Sequence, residues 1–200
     1  MDAPQVEETA VNLFNVPNLL SLSRILSVPV FILLMLEPNP LKALIAGIVF
    51  GLASATDWLD GYLARKWGQV TKIGKLLDPI ADKILIMSAL VILVEIRADA
   101  VHAWIAIVII GREFAVTGLR AMAATEGIVI PAETVGKYKV GAQITAVLCL
   151  LWDYYLDRGW ITDLGRIALW IAMILALYSA FRYFLTYWNI LNHHASPDEP

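Results

Sequence analysis

The sequence predicts an all-α integral membrane protein with six transmembrane helices. Hydrophobic residues make up 59% of the 200 residues and charged residues only 16%, whereas soluble domains carry about 25% charged residues. A helix needs about 20 apolar residues to cross a bilayer core. The chain offers six apolar runs of about that length, separated by short polar segments. A soluble globular fold is therefore excluded.

The boundaries of the six helices follow from the ends of the apolar runs and from the turn residues between them. Turn signals follow the first run at Glu37 to Pro40, the fourth at Gly127 to Pro131 and the fifth at Asp157 to Gly159. The predicted helices cover residues 18–36, 41–64, 74–96, 102–124, 136–156 and 164–190. We expect one transmembrane domain that carries the chemistry over residues 17–192, an N-terminal cytoplasmic segment over 1–16 and a disordered tail over 193–200.

Lys and Arg residues are distributed unequally between the two ends of the predicted helices. Eight of them lie on the side that holds the N-terminus and four on the opposite side. Because cytoplasmic loops carry the excess of positive charge, we expect both termini in the cytoplasm. The net charge of −3 provides no basic surface for nucleic acid.

Four aspartates in the second and third predicted helices form the most informative pattern in the sequence. Spacings of three and four residues place Asp57 and Asp60 on one helix face, and Asp78 and Asp82 on another. The short basic loop between the two helices allows them to fold back, so that all four carboxylates line one cleft. Pro79 leaves two alternatives open, a helix capped by Asp78 or a kinked helix that begins near residue 71.

Carboxylates inside membrane helices are costly and by default functional. Two of them about 4 Å apart repel by about 4 kcal/mol at an effective dielectric of about 20, so the cluster favours a bound cation. Oxygen ligands favour Mg²⁺ or Mn²⁺ over zinc. Because Gly61 and Gly74 leave room on the same faces, and because such cations commonly hold phosphate oxygens, the expected ligand is a diphosphate. The alternative is pairing of Asp60 with Arg65, and of Asp82 with a nearby lysine.

This pattern resembles the signature of the CDP-alcohol phosphatidyltransferases, which are membrane enzymes with six transmembrane helices. All eight fixed positions of the signature are present: Asp57, Asp60, Gly61, Ala64, Arg65, Gly74, Asp78 and Asp82. The resemblance implies that Asp57, Asp60 and Asp78 hold a divalent metal that chelates the diphosphate of a CDP-linked lipid. It implies that Asp82 is the general base, close to the metal.

The same resemblance implies which residues surround the CDP-lipid. Small residues make room for the cytidine side, Arg65 contacts phosphate, and two residues at the start of the first helix border the nucleotide. The implied CDP-lipid contacts are Asp57, Gly61, Ala64, Arg65, Gly74, Asn18 and Ser21. For Asn18 and Ser21, helix capping after Pro17 is the alternative.

Positive residues that interrupt the fourth and fifth apolar runs predict where the acceptor binds. Arg112 and Arg120 are eight residues apart and share roughly one helix face, and with Lys137 and Lys139 they form a cationic pocket. Such a pocket favours an anion. The alternatives are cytoplasmic charge bias for the two lysines and a structural pair of Arg112 with Glu113.

An anionic acceptor fits glycerol 3-phosphate better than serine or choline. Between about Asn15 and Gln143 the chain is also similar to the bacterial branch of the family that uses this acceptor, although Val140 stands where that branch has threonine. The similarity implies transfer from CDP-diacylglycerol, a contact of Arg24 with the acceptor phosphate, a site in the bacterial inner membrane and a homodimer. Alternatives are transfer to phosphatidylglycerol, as in a cardiolipin synthase, and a cation transporter that uses the aspartates.

Overall fold

The computed structural model is a bundle of six helices. It describes the backbone of residues 16–67, 72–125 and 134–195 and the side chains of residues 19, 22–56, 80–125 and 135–190. In chain order the helices are α1 (Val16–Met35), α2 (Pro40–Trp67), α3 (Lys72–Ile96), α4 (Ala103–Thr125), α5 (Thr134–Leu156) and α6 (Gly159–Ala195). These ranges contain no strand, so the predicted all-α fold of six helices is confirmed.

The largest differences from the predicted boundaries lie at the two ends of α6. This helix begins at Gly159 rather than at residue 164, and it continues to Ala195, into the segment expected to be a disordered tail. The early start has a local cause. Asp157 adopts a left-handed backbone conformation (φ 48°), which aspartate tolerates better than most residues, and Asp153 Oδ1 accepts a hydrogen bond from the Arg158 N–H at 2.8 Å. The chain therefore reverses within two residues.

Helix α3 decides between the two alternatives raised by Pro79. It begins at Lys72 and continues through the proline to Ile96, so the helix does not start at Asp78. Gly74, Asp78 and Asp82 consequently belong to one continuous helix, and their spacing keeps them on one face of it.

The helices pack so that the middle of the bundle is apolar. α1 contacts α2 and α3, α2 contacts α5, and α6 runs along both α5 and α4. Large side chains that are fully buried in this core include Phe31, Phe50, Leu85, Leu90, Ile105, Leu150 and Leu169. A second apolar cluster, formed by Val116, Ala123, Tyr183 and Tyr187, joins α4 to α6.

The outer surface of the bundle also carries large apolar side chains. Leu33, Ile107 and Phe181 are 65%, 69% and 61% exposed. Large apolar side chains that form a contiguous exposed patch mark contact with lipid or protein. Within the described part of the chain, one helical stretch, Gly159–Ile190, is long and apolar enough to cross a membrane, while Leu22–Met35 and Pro40–Thr56 are shorter apolar stretches. Six membrane spans therefore stay a prediction.

Candidate active site

A cleft with a volume of about 640 Å³ lies among α3, α4, α5 and α6, with Ser54 of α2 in its wall. Predicted site residues from three different helices line it together: Asp82, Arg112, Arg120, Lys137 and Lys139. Val140, the position that departs from the bacterial branch, also lies in its wall. The structure thus brings the predicted general base and the four predicted pocket cations to one place.

Arg112 is fixed in the wall of this cleft by contacts to α6. Its Nε donates a hydrogen bond to the Ala176 carbonyl at 3.0 Å, and its Nη2 donates to Ser179 Oγ at 2.7 Å. Nη1 donates to Glu113 Oε1 at 3.0 Å, which is the structural pair considered as an alternative above. These bonds use three of the five N–H donors of a guanidinium, and they hold its plane in a single orientation.

Glu113 lies between two cations. The same Oε1 that binds Arg112 accepts a hydrogen bond from Lys139 Nζ, and the Lys139 residue is only 4% exposed. Taking a charge out of water is costly unless a counter-charge is close, so one carboxylate offsets part of this cost for both cations. The group of three keeps a net positive charge. Sequence reasoning missed the contact with Lys139 because that lysine lies on α5, 26 residues further along the chain.

Asp82 lies half-buried in the wall formed by α3. It is close enough to Lys139 to interact with it electrostatically. The next residue, Lys83, donates a hydrogen bond to the Thr117 hydroxyl, which in turn donates to the Glu113 carbonyl at 2.6 Å. These contacts join α3 to α4, so the aspartate lies beside the cationic group.

Arg120 and Lys137 lie nearer to solvent. Both residues are exposed, and the Arg120 guanidinium lies 5.9 Å from the centre of the Tyr183 ring, within the range of a cation–π contact. Together with Lys83, the described lining of the cleft contains five cationic side chains and two carboxylates, Asp82 and Glu113. This excess of positive charge favours an anionic ligand.

Arg24 is not among the described residues that line the cleft. It is 1% exposed, and its Nε donates a hydrogen bond to the Ala53 carbonyl of α2 at 3.2 Å. The Thr56 hydroxyl donates to the same carbonyl at 2.8 Å. Arg24 therefore ties α1 to α2 next to Ser54, one helical turn before Asp57.

Other predicted site residues have side chains outside the described residues. They are Asn18, Ser21, Asp57, Asp60, Gly61, Ala64, Arg65, Gly74 and Asp78. Their backbones belong to α1, α2 and α3, and α2 contacts α3. Among the side chains that are described, no group of three or more His, Cys, Asp or Glu residues is arranged to hold a metal ion. The carboxylate cluster stays a prediction that rests on helical spacing.

Comparison with known proteins agrees with the signature. The family described as CDP-alcohol phosphatidyltransferase matches residues 14–178, a range that includes the aspartates and the four pocket cations. The chain is also similar to bacterial proteins named CDP-diacylglycerol–glycerol-3-phosphate 3-phosphatidyltransferase. The protein from Bacillus subtilis is 43% identical over 191 residues, which cover 90% of this chain and 98% of the relative.

Two further relatives carry the same name. The protein from Haemophilus influenzae is 38% identical over 175 residues, covering 85% of this chain and 91% of the relative. The protein from Escherichia coli is 35% identical over 176 residues, covering 85% and 93%. The similarity thus extends over most of both chains in each comparison, and the family expected from eight signature residues is confirmed. The chain belongs to the CDP-alcohol phosphatidyltransferases.

Proposed function

We propose that this chain transfers the phosphatidyl group of CDP-diacylglycerol to the primary hydroxyl of glycerol 3-phosphate, giving phosphatidylglycerophosphate and CMP. The observation that carries the proposal is the cleft in which Asp82 lies beside five cationic side chains. A donor of this class has a metal-binding diphosphate, and an acceptor that bears a phosphate needs the positive charge. The relatives are named for the same two substrates.

The donor is proposed to bind where α2 and α3 contact each other. Both helices are continuous through their signature residues, and carboxylate oxygens suit a hard divalent cation, Mg²⁺ or Mn²⁺. Asp57, Asp60, Asp78 and Asp82 hold this cation, which neutralises the diphosphate charge when it is bound. Arg65 contacts phosphate, while the remaining contacts with the CDP-lipid are Gly61, Ala64, Gly74, Asn18 and Ser21.

The acceptor is proposed to bind in the cationic cleft. Arg112, Arg120, Lys137 and Lys139 attract its phosphate, and Arg24 contacts the same phosphate from α1. Glu113 keeps Arg112 and Lys139 oriented. Asp82 then takes the proton of the primary hydroxyl, the hydroxyl oxygen attacks the phosphorus on the lipid side, and CMP leaves. The protein mainly positions the two substrates and balances their charge, as catalysts of phosphoryl transfer do.

We further propose that all six helices of residues 17–192 cross the bacterial inner membrane, with both termini and the cleft on the cytoplasmic side. The exposed apolar side chains along the helices support this arrangement, as does the length of the apolar part of α6. Lipid tails enter sideways from the bilayer, and the chain acts as a homodimer.

The test of the acceptor is release of CMP by the purified protein from CDP-diacylglycerol, with a panel of acceptors. Glycerol 3-phosphate is expected to support the fastest release, ahead of phosphatidylglycerol and serine. Preference for phosphatidylglycerol would instead identify a cardiolipin synthase. Cation flux in vesicles without any CMP release would identify a transporter.

The test of the metal uses chelation and one matched pair of variants. Removal of divalent cations is expected to abolish turnover, and Mg²⁺ or Mn²⁺ restores it. Asp78→Asn raises the cation concentration needed for half-maximal rate. Asp163→Asn, at an exposed aspartate of α6 that pairs with Arg166, leaves that concentration unchanged. An identical cation requirement in both variants would remove Asp78 from the metal site.

A further inference from the structure

A smaller inner pocket with a volume of about 50 Å³ adjoins the cleft. It shares part of the cleft wall, including Asp82 and Lys139, and then extends between apolar side chains. The residues found only in this inner part are Ile86, Met87, Leu90, Ile109 and Gln143. Gln143 is thus the one polar residue that the inner pocket adds to the wall it shares with the cleft, within the described chain.

The side-chain amide nitrogen of Gln143 is buried and has no hydrogen-bond partner among the described residues. The residue is 2% exposed, and among the described side chains its Nε2 is the one buried nitrogen or oxygen atom without a partner. Buried polar groups in proteins are nearly always hydrogen-bonded, and an exception calls for an explanation. Methionine has nearly the same shape and would fill this wall without an unpaired donor. The amide therefore suits a ligand that brings an oxygen atom into the inner pocket.

The position of Gln143 indicates which oxygen this is. Gln143 follows Lys139 by four residues on α5, so the two side chains share a helix face. When the acceptor phosphate lies among the cations of the cleft and the primary hydroxyl lies at Asp82, glycerol 3-phosphate has one remaining oxygen, the secondary hydroxyl. The space is sufficient for a hydroxyl group, because about 10–15 Å³ of cavity volume already holds a water molecule.

We infer that Gln143 hydrogen-bonds the secondary hydroxyl of the acceptor and is a specificity-determining residue. The inference rests on the proposed function. It assigns a contact to the secondary hydroxyl, the part of the acceptor that the charged groups do not recognise. A hydroxyl can accept from the amide nitrogen and donate to the amide oxygen. An acceptor without this hydroxyl leaves the amide unpaired and is disfavoured.

The experiment compares glycerol 3-phosphate with 3-hydroxypropyl phosphate, which keeps the primary hydroxyl and the phosphate but lacks the secondary hydroxyl. For the wild type, kcat/KM is expected to be about fivefold higher with glycerol 3-phosphate, the ratio that one neutral hydrogen bond supplies. In Gln143→Met the ratio falls to about one, while the KM for CDP-diacylglycerol stays unchanged. The control is Thr145→Val, at an exposed residue of the same helix whose hydroxyl binds the Gly141 carbonyl. It keeps the wild-type ratio.

Equal kcat/KM values for the two acceptors in the wild type would overturn the inference, whatever the variants do. If Gln143→Met keeps the wild-type ratio of kcat/KM values for the two acceptors, the inference is also overturned. The amide would then bind only a water molecule. If Gln143→Met does not fold, Gln143→Asn serves in its place, because the shorter amide withdraws from the pocket and is expected to lose the ratio as well. Failure of the proposed function is distinct, since the wild type would then release no CMP with either acceptor.

Discussion

The two ends of the helix bundle use similar charged residues in opposite ways. At the end away from the cleft, Arg97 Nη1 donates hydrogen bonds to Asp153 Oδ2 at 3.3 Å and to the Leu150 carbonyl at 3.1 Å, and Nη2 donates to Thr162 Oγ1 at 2.7 Å. Thr162 in turn donates to Asp153. Arg97 also donates to the exposed Asp99. The buried cation is therefore matched by carboxylates within the fold, and its contacts join α3 to the reversal between α5 and α6.

In the cleft the balance is different. Glu113 is shared by Arg112 and Lys139, and further cations line the same space. A buried cation that is matched by carboxylates needs no further partner, whereas an excess of cations around an open space has to be balanced by a ligand. The two ends therefore differ in the ratio of cations to carboxylates rather than in how deeply these groups are buried.

The largest expected effect is the loss of turnover in Asp82→Asn. Replacing a general base typically lowers kcat by about 10²- to 10⁴-fold, and here the variant should still bind the CDP-lipid. CMP release and binding of labelled CDP-diacylglycerol measure the two effects. Asp163→Asn at the opposite end is the control and keeps the wild-type rate. Wild-type turnover in Asp82→Asn would remove this residue from the chemistry.

Arg97→Met is expected to be the most destabilising change at the structural end. It leaves Asp153 buried without its cation, and breaking a buried pair in this way costs about 3–5 kcal/mol of unfolding free energy. Unfolding in detergent measures the loss, while the KM for glycerol 3-phosphate of the folded fraction stays unchanged. A raised KM at unchanged stability would contradict the division between the two ends.

Lys137→Ala should affect the acceptor alone. Lys137 is an exposed cation at the cleft, so its attraction for a phosphate is partly screened, and we expect the KM for glycerol 3-phosphate to rise by about fivefold. The KM for CDP-diacylglycerol and the unfolding free energy stay as in the wild type. Lys42→Ala, at the start of α2, is the control. An equal rise in both KM values would show that Lys137 does not distinguish the acceptor.

The smallest expected effect is a pH dependence at the structural end. A hydrogen bond from Arg97, helped by its charge, lowers the pKa of the exposed Asp99. Because the folded pKa lies below the unfolded value of about 3.9, this contribution to stability is present above that value and is lost as the pH falls through the folded pKa. In Asp99→Asn, the unfolding free energy should change less with pH in this range. If it falls at acid pH as steeply as in the wild type, the contact contributes nothing to stability.

Much of this architecture could be predicted because hydropathy acts locally along the chain. The six helices follow from apolar runs, and the cleft cations stand out because they interrupt such runs. The start of α6 could not be predicted, since it depends on the backbone conformation of Asp157 and on the hydrogen bond that Asp153 accepts from the Arg158 N–H. The partners of Arg112 on α6 also escaped prediction, because a backbone carbonyl and a serine leave no pattern in sequence.

Two contacts of α6, one near its beginning and one near its middle, have a consequence for its length. Thr162 binds Arg97 near the beginning of the helix, and Ser179 binds Arg112 further along it. Each residue of an α-helix turns the chain by about 100°, so both contacts require one rotational register. An insertion or deletion of a single residue between 162 and 179 preserves one contact and turns the other away. The segment between these two anchors is therefore expected to tolerate substitution on its outer face far better than any change in residue number.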